Sequence, residues 1–153
     1  MRITIIGCGR VGSRLAERLS KGGHEISIID EHRDAFRRLN TSFPGNSFQG
    51  SGLDPAFLER TGATRADIVF ALTGGDNRNL MIAQLFKHQY GVMRSVARLH
   101  DPVRAATYRE LGVETLCTTT VLEGLLELYV NHGDFPDLPG EMSVSGDASD
   151  LHQ

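Results

Sequence analysis

Six short β-rich runs, each followed by a longer stretch of helical character, leave this chain few folds to choose from. The runs are Ile3–Ile6, Glu25–Ile29, Asn46–Gln49, Asp67–Leu72, Met93–Ala97 and Glu114–Cys117, short segments of strand character. Between them, Val11, Leu15 and Leu19 recur at every fourth position, and Met81, Ile82, Leu85 and Phe86 mark one helical face. Stop signals agree with this division. Gly22-Gly23, Gly62, Gly91 and Gly112 follow helical stretches, where a left-handed cap costs glycine least. Asp54-Pro55 and Asp101-Pro102 open others, with aspartate as cap and proline preset in the first turn. Strand, helix, strand at this cadence requires crossovers, hence a parallel sheet covered on both faces. The expected fold is α/β: a Rossmann-type doubly wound parallel sheet of six strands, with roughly one helix in each gap.

At 153 residues and 40% hydrophobic content the chain suffices for one core. An extra C-terminal amphipathic helix is expected from about Thr119, with Leu122, Leu125, Leu126, Tyr129 and Val130 forming an apolar stripe. That stripe either packs on its own sheet or crosses to a partner subunit. Beyond it, Asp134, Asp137, Glu141, Asp147 and Asp150 stand without a lysine or arginine, the composition of a linker. Residues 1–132 are therefore read as the folded domain and 133–153 as an acidic flexible tail.

A net charge of -3 supplies no basic footprint for nucleic acid. Cys8 and Cys117 are isolated thiols, as in a reducing compartment. The N-terminal apolar run ends by Cys8, far short of the ~20 residues of a membrane span, and it lacks a cleavable signal pattern. A cytoplasmic protein without direct membrane insertion is expected.

The first apolar run leads directly into Gly7-Cys8-Gly9-Arg10-Val11-Gly12. In this G-x-G-x-x-G pattern the first glycine makes the tight turn, the second admits a phosphate, and the third lets helix approach strand. The helix start adds free N–H groups and a positive dipole end, an anion site. Asp30 closes the second run, where a carboxylate accepts from a ribose 2'-hydroxyl and repels a 2'-phosphate; it could equally cap the segment that follows. NAD(H), or an adenine nucleotide with a free ribose, is thus preferred over NADP. Thr73 and Gly74 end the fourth run before a helix that Asn79 could anchor, and Arg98 ends the fifth. With Arg10, two guanidinium groups come near the expected phosphates, for which their forked donors are suited.

Catalytic apparatus is missing from this pattern. No Y-x-x-x-K occurs, and the six histidines are scattered without metal or general-base spacing. Cys8 lies where a helix N-terminus could lower its pKa, yet neither a base nor a resolving thiol accompanies it. The chain is read as a regulatory nucleotide-binding protein and not an enzyme. The competing readings are a small NAD-dependent oxidoreductase, or a nucleotide or redox sensor for another partner.

The segments GCGRVGSRLAERLSKGGHEISIID, ADIVFALTGGDNRNLMIAQLFK and VARLHDPVRAATYRELGVE closely resemble the RCK N-terminal (TrkA-N) domain of Trk and Ktr potassium-uptake regulators, over about residues 2–130. The resemblance implies a cytosolic gating subunit, peripheral to the inner membrane, that binds NAD(H), ATP or ADP. It would act on a membrane potassium channel or transporter subunit through a homo-dimer or a ring of dimers. By position, Gly7, Cys8, Gly9, Arg10, Val11 and Gly12 would form the phosphate loop and Asp30 would hold the ribose. Thr73, Gly74 and Arg98 would line the far side. Where the family often has an acidic or amide residue between small ones, this chain reads Gly50-Ser51-Gly52, a departure from the family's adenine-edge contact that leaves Ser51 as the candidate at that position. The second, C-terminal ligand domain common in the family has no counterpart in these residues.

Overall fold

In the computed structural model, which describes residues 1–138, all six runs join one sheet. The strands are β1 (Arg2–Ile6), β2 (Glu25–Asp30), β3 (Asn46–Gln49), β4 (Ile68–Ala71), β5 (Arg94–Leu99) and β6 (Glu114–Cys117). Their order is β3-β2-β1-β4-β5-β6, with every neighbouring pair parallel. The helices are α1 (Arg10–Lys21), α2 (Pro55–Thr61), α3 (Asp76–Gln89), α4 (Pro102–Glu110) and α5 (Thr118–His132). The expected Rossmann-type fold is thus present, and strand order reverses between β1 and β4. At that switch point the carboxyl ends of the strands leave a crevice.

Strand β1 shows why both faces are covered. Ile3 and Ile5 pack with Ile26, Ile28 and the α1 residue Ala16, while Ile6 packs with Ile29, Leu58, Val69 and Phe86 on the other side. Each such buried side chain contributes about 1.5–3 kcal/mol. Tertiary burial of this kind sustains α2, whose seven residues are too few for an isolated helix. A third cluster, including Leu80, Ala83, Leu99, Ala105 and Cys117, closes the β5–β6 end.

The turn signals operate as expected. Asp54 accepts from the Phe57 N–H and Asp101 from those of Val103 and Arg104, each with proline next. Gly62, Gly91 and Gly112 have φ of 73°, 70° and 82°, the left-handed conformation that favours glycine.

One gap departs from expectation. Between β2 and β3 the chain makes a 3-10 helix over Arg33–Arg38 instead of an α-helix. Arg33 and Arg37 would stand one turn apart as like charges, and Asn40 turns the chain by accepting from Ser42 N–H before Pro44. Strand β5 starts at Arg94 and reaches Leu99, because Arg98 and Leu99 pair with Leu116 and Cys117. Strand β4 is assigned more narrowly than Asp67–Leu72, yet the N–H groups of both end residues still donate to β1, at 2.8 Å each.

The chain divides into two compact units, Met1–Thr120 and one beginning at Val121. In the second, α5 runs to His132 and ends at Gly133, whose φ is 78°. Tyr129 stacks on Phe135 with ring centroids 4.7 Å apart. Leu122, Leu126, Tyr129 and Val130 of the expected stripe are each about half exposed or more. Of the expected acidic tail, residues 139–153 lie outside the described residues.

Candidate functional site

The glycine loop has the geometry its spacing requires. Gly7 sits at φ 111°, and a Cβ there would meet the Leu72 carbonyl at 2.8 Å; one on Gly12 would meet the Gly7 carbonyl oxygen at 2.0 Å. A Cβ on Gly9 would meet nothing within 4 Å. Gly9 is also the residue before α1 and brings no side-chain cap, so the first-turn N–H groups stay open to a ligand. This is a cradle for an anion.

Asp30 holds that loop. Its Oδ2 accepts from the Cys8 N–H and its Oδ1 from the His32 N–H, both at 2.8 Å. The carboxylate therefore ties the glycine loop to the turn after β2, and its remaining lone pairs are what a ribose could use. Of the two sequence readings of Asp30, the local one takes this form: the carboxylate bonds the turn after β2, while the 3-10 helix itself is capped at His32 without a side-chain bond.

Across the crevice, Asn79 organises the ends of β4 and β5. It is fully buried. Its Oδ1 accepts from the Thr73 N–H at 2.8 Å and the Thr73 hydroxyl at 2.7 Å, and its Nδ2 donates to the carbonyls of Thr73 at 3.0 Å and Arg98 at 2.8 Å. The Arg98 guanidinium folds back, with Nη2 donating to the carbonyls of Leu72 at 3.1 Å and Thr73 at 2.9 Å. Its Nε is buried without a protein partner, a donor that an entering oxygen would satisfy.

The glycine loop, Asp30, Thr73 and Arg98 line a cleft of about 280 Å³, with Asn79 behind its wall. Of the sequence-derived residues it gathers Gly7, Gly9, Asp30, Thr73, Gly74 and Arg98. Cys8, Arg10, Val11, Gly12 and Ser51 do not line it. Cys8 contributes through its backbone N–H, and Gly12 through helix packing. Arg10 and Val11 are exposed on the first turn of α1. Ser51 turns inward on its own loop, its hydroxyl accepting from the Leu53 N–H at 3.2 Å. The flanking glycines are packing requirements: a Cβ on Gly50 would meet the Phe57 ring, and one on Gly52 would meet Ile6, both at 2.4 Å.

Sequence reasoning missed Glu31 and Arg78, which line the cleft and pair at 3.0 Å. The signal available for them was position alone, the residue after Asp30 and the first turn of α3. The cleft floor is apolar, from Ile6, Ile29, Leu72 and Ile82.

Charge elsewhere is fixed by local bonds. Burial, with Asp30 nearby, pushes the Cys8 thiol up to about 11, so the lowering expected from the helix N-terminus is overturned by desolvation. Burial raises Cys117 too, but hydrogen bonds from Thr120 and Thr119 outweigh it and bring the thiol below its usual value. Asp76, at the start of α3, likewise has a burial cost outweighed by bonds from the His100 ring and the N–H groups of His100 and Asp101, which hold its carboxyl below the usual range. Among the described residues no cluster of three potential metal ligands occurs, and no helix is long and apolar enough to cross a membrane.

A parallel six-stranded sheet with an uncapped glycine-rich helix start at its switch point defines a Rossmann-type domain. The chain belongs to the TrkA-N domain family: residues 3–119 match the family model. It is 42% identical over 118 residues to the Trk system potassium uptake protein TrkA of Streptomyces coelicolor, a match covering 77% of this chain and 53% of that protein. The chain thus spans about half the length of this relative. Among solved structures it is similar to the C-terminal domain of Shewanella denitrificans Kef in its AMP-bound form, with TM-score 0.69, 25% identity, and coverage of 88% of this chain and 83% of that one. The GsuK channel bound to NAD shares the fold, with TM-score 0.70, 21% identity, and coverage of 86% and 23%.

Proposed function

We propose that this chain is a nucleotide-binding regulatory domain of a potassium-uptake system, taking NAD(H) or ATP/ADP in the cleft between β1 and β4. The observation that carries the reading is the glycine loop: an uncapped helix start behind Gly9, with open space where a phosphate would approach. The orphaned Arg98 Nε supplies a second donor suited to a phosphate or ribose oxygen. The name of the Streptomyces coelicolor relative supports the potassium-uptake role, and the Kef domain bound to AMP supports an adenine nucleotide.

In this reading Gly7, Gly9 and the first-turn N–H groups of α1 hold the phosphates, Asp30 holds the ribose, and Thr73, Gly74 and Arg98 form the opposite wall. Cys8 and Gly12 position the loop, Val11 stands at its open end, and Ser51, outside the cleft, orders the turn between Gly50 and Gly52. Bound nucleotide supplies charge and contacts and no chemistry. The chain works in the cytoplasm against a membrane potassium channel or transporter subunit, as a homo-dimer or ring of dimers. The α5 stripe is the surface a second copy covers.

Two measurements on one preparation test this. NADH fluorescence should change on addition of protein and be reversed by ADP. NADH incubated with the protein and a panel of small carbonyl compounds should persist. Turnover would replace the regulatory reading with the oxidoreductase one, and failure of every nucleotide to bind would remove the site.

A further inference from the structure

The Glu31–Arg78 pair connects two elements that share no other side-chain bond at the cleft. Glu31 follows β2, and its backbone carbonyl is held by Gln49 Nε2 at 3.2 Å. Arg78 lies on the first turn of α3. Their side chains meet at 3.0 Å, 50% and 39% exposed for arginine and glutamate, and both line the cleft together with the buried Ile29 and Ile82. Neither residue caps a helix, and an ion pair this exposed adds little to stability. Its position is what matters. It runs from the ribose side of the cleft, next to Asp30, to the opposite wall.

From this geometry we infer that Glu31 and Arg78 form a latch that selects planar bases, a refinement that rests on the nucleotide reading above. A group entering the apolar floor from the rim has to part the two side chains. A purine ring compensates for that loss, because the released guanidinium presents a flat cationic face on which an aromatic ring stacks, while Ile6, Ile29 and Ile82 contact the ring from below. A sugar phosphate without a base parts the same pair and receives no stacking in return. Glu31 therefore opposes entry, and Arg78 opposes it when paired and assists when free.

Adenosine is the probe, because it is uncharged and its affinity does not respond to the anionic charge of Glu31 directly. Binding is read by NMR titration, with AMP and NADH as reference ligands. Glu31→Gln should bind adenosine about two- to fivefold more tightly than wild type, the worth of an exposed ion pair. Adding Arg78→Ala to that variant should take back a similar factor by removing the stacking face. Raising salt should tighten adenosine binding to wild type and leave Glu31→Gln unchanged, since screening weakens only the latch. Both side chains are substantially exposed, and thermal melts establish that the variants fold. If wild type binds AMP and NADH but Glu31→Gln holds adenosine no tighter, the latch is overturned and the nucleotide site stands. If Glu31→Gln tightens binding and the double variant equals it, base selection by Arg78 is overturned. If wild type binds none of the three, both readings fall together.

Discussion

Gly9 and Gly12 lie in one turn of chain and answer to opposite demands. At Gly12 a methyl group would sit 2.0 Å from the Gly7 carbonyl oxygen, whereas at Gly9 it would enter open space from an ordinary backbone conformation, φ -78°. Gly12→Ala should therefore destabilise the domain by about 3 kcal/mol, read by urea unfolding. Gly9→Ala should leave the melting curve within about 0.5 kcal/mol of wild type and weaken NADH binding at least tenfold. Similar behaviour of the two variants would mean that Gly9 is a packing residue. Asp76 adds a pH dependence at the same scale. Its folded pKa is lowered, so its stabilising contribution is present above the ordinary value of about 3.9 and disappears as pH falls through the lower folded value. Asp76→Asn should be clearly less stable than wild type at pH 7, and that difference should shrink in denaturation series run below about pH 4.

Among the elements, α3 is the strut on which the far wall depends. Asn79 bonds both the segment after β4 and the end of β5, which Arg98 Nη2 also ties together. Asn79→Ala leaves the half-buried Thr73 N–H and Arg98 carbonyl without this partner and a cavity at a fully buried side chain, and should cost about 3 kcal/mol, with a further loss of nucleotide affinity as Thr73 and Arg98 lose their anchor. Unchanged affinity in a folded Asn79→Ala protein would separate that wall from the ligand. Elements of this kind were largely legible in the sequence. Strands buried on both faces read as apolar runs, and Asp-Pro starts and glycine stops act within a few residues of themselves. The 3-10 segment over Arg33–Arg38 was not, since Ala35, Phe36 and Leu39 pack on the core in either kind of helix and only weak local preferences choose between them. Within the site, positions at strand ends were readable but directions were not. Arg98 reaches the cleft yet spends Nη2 on two carbonyls, Arg10 stays outside, and Glu31 meets Arg78 across 47 positions of chain. The state of the Cys8 thiol was not legible from its place in the loop, because its burial, a tertiary fact, outweighs the helix end beside it.

At the scale of the whole molecule, a regulator requires that different ligands favour different states by different amounts; a ligand with equal affinity for both moves nothing. The first unit contains the cleft, and α5 offers Leu122, Leu126, Tyr129 and Val130 at its surface. Leu126→Glu should lower the mass found by light scattering relative to wild type while leaving NADH binding intact; equal masses would assign the stripe to another role. Arg10 stands exposed on the first turn of α1, outside the cleft, and in the proposed function it would reach a terminal phosphate that extends beyond it. The direct test is calorimetric titration of wild type and Arg10→Ala with ATP, ADP, NAD+ and NADH, with oligomer mass recorded in each state. The expected result is competitive binding at one cleft, with ATP and ADP affinities that differ in wild type and converge in Arg10→Ala. No binding heat from any of the four nucleotides, or an ATP to ADP ratio untouched by Arg10→Ala, would contradict the nucleotide-sensing account.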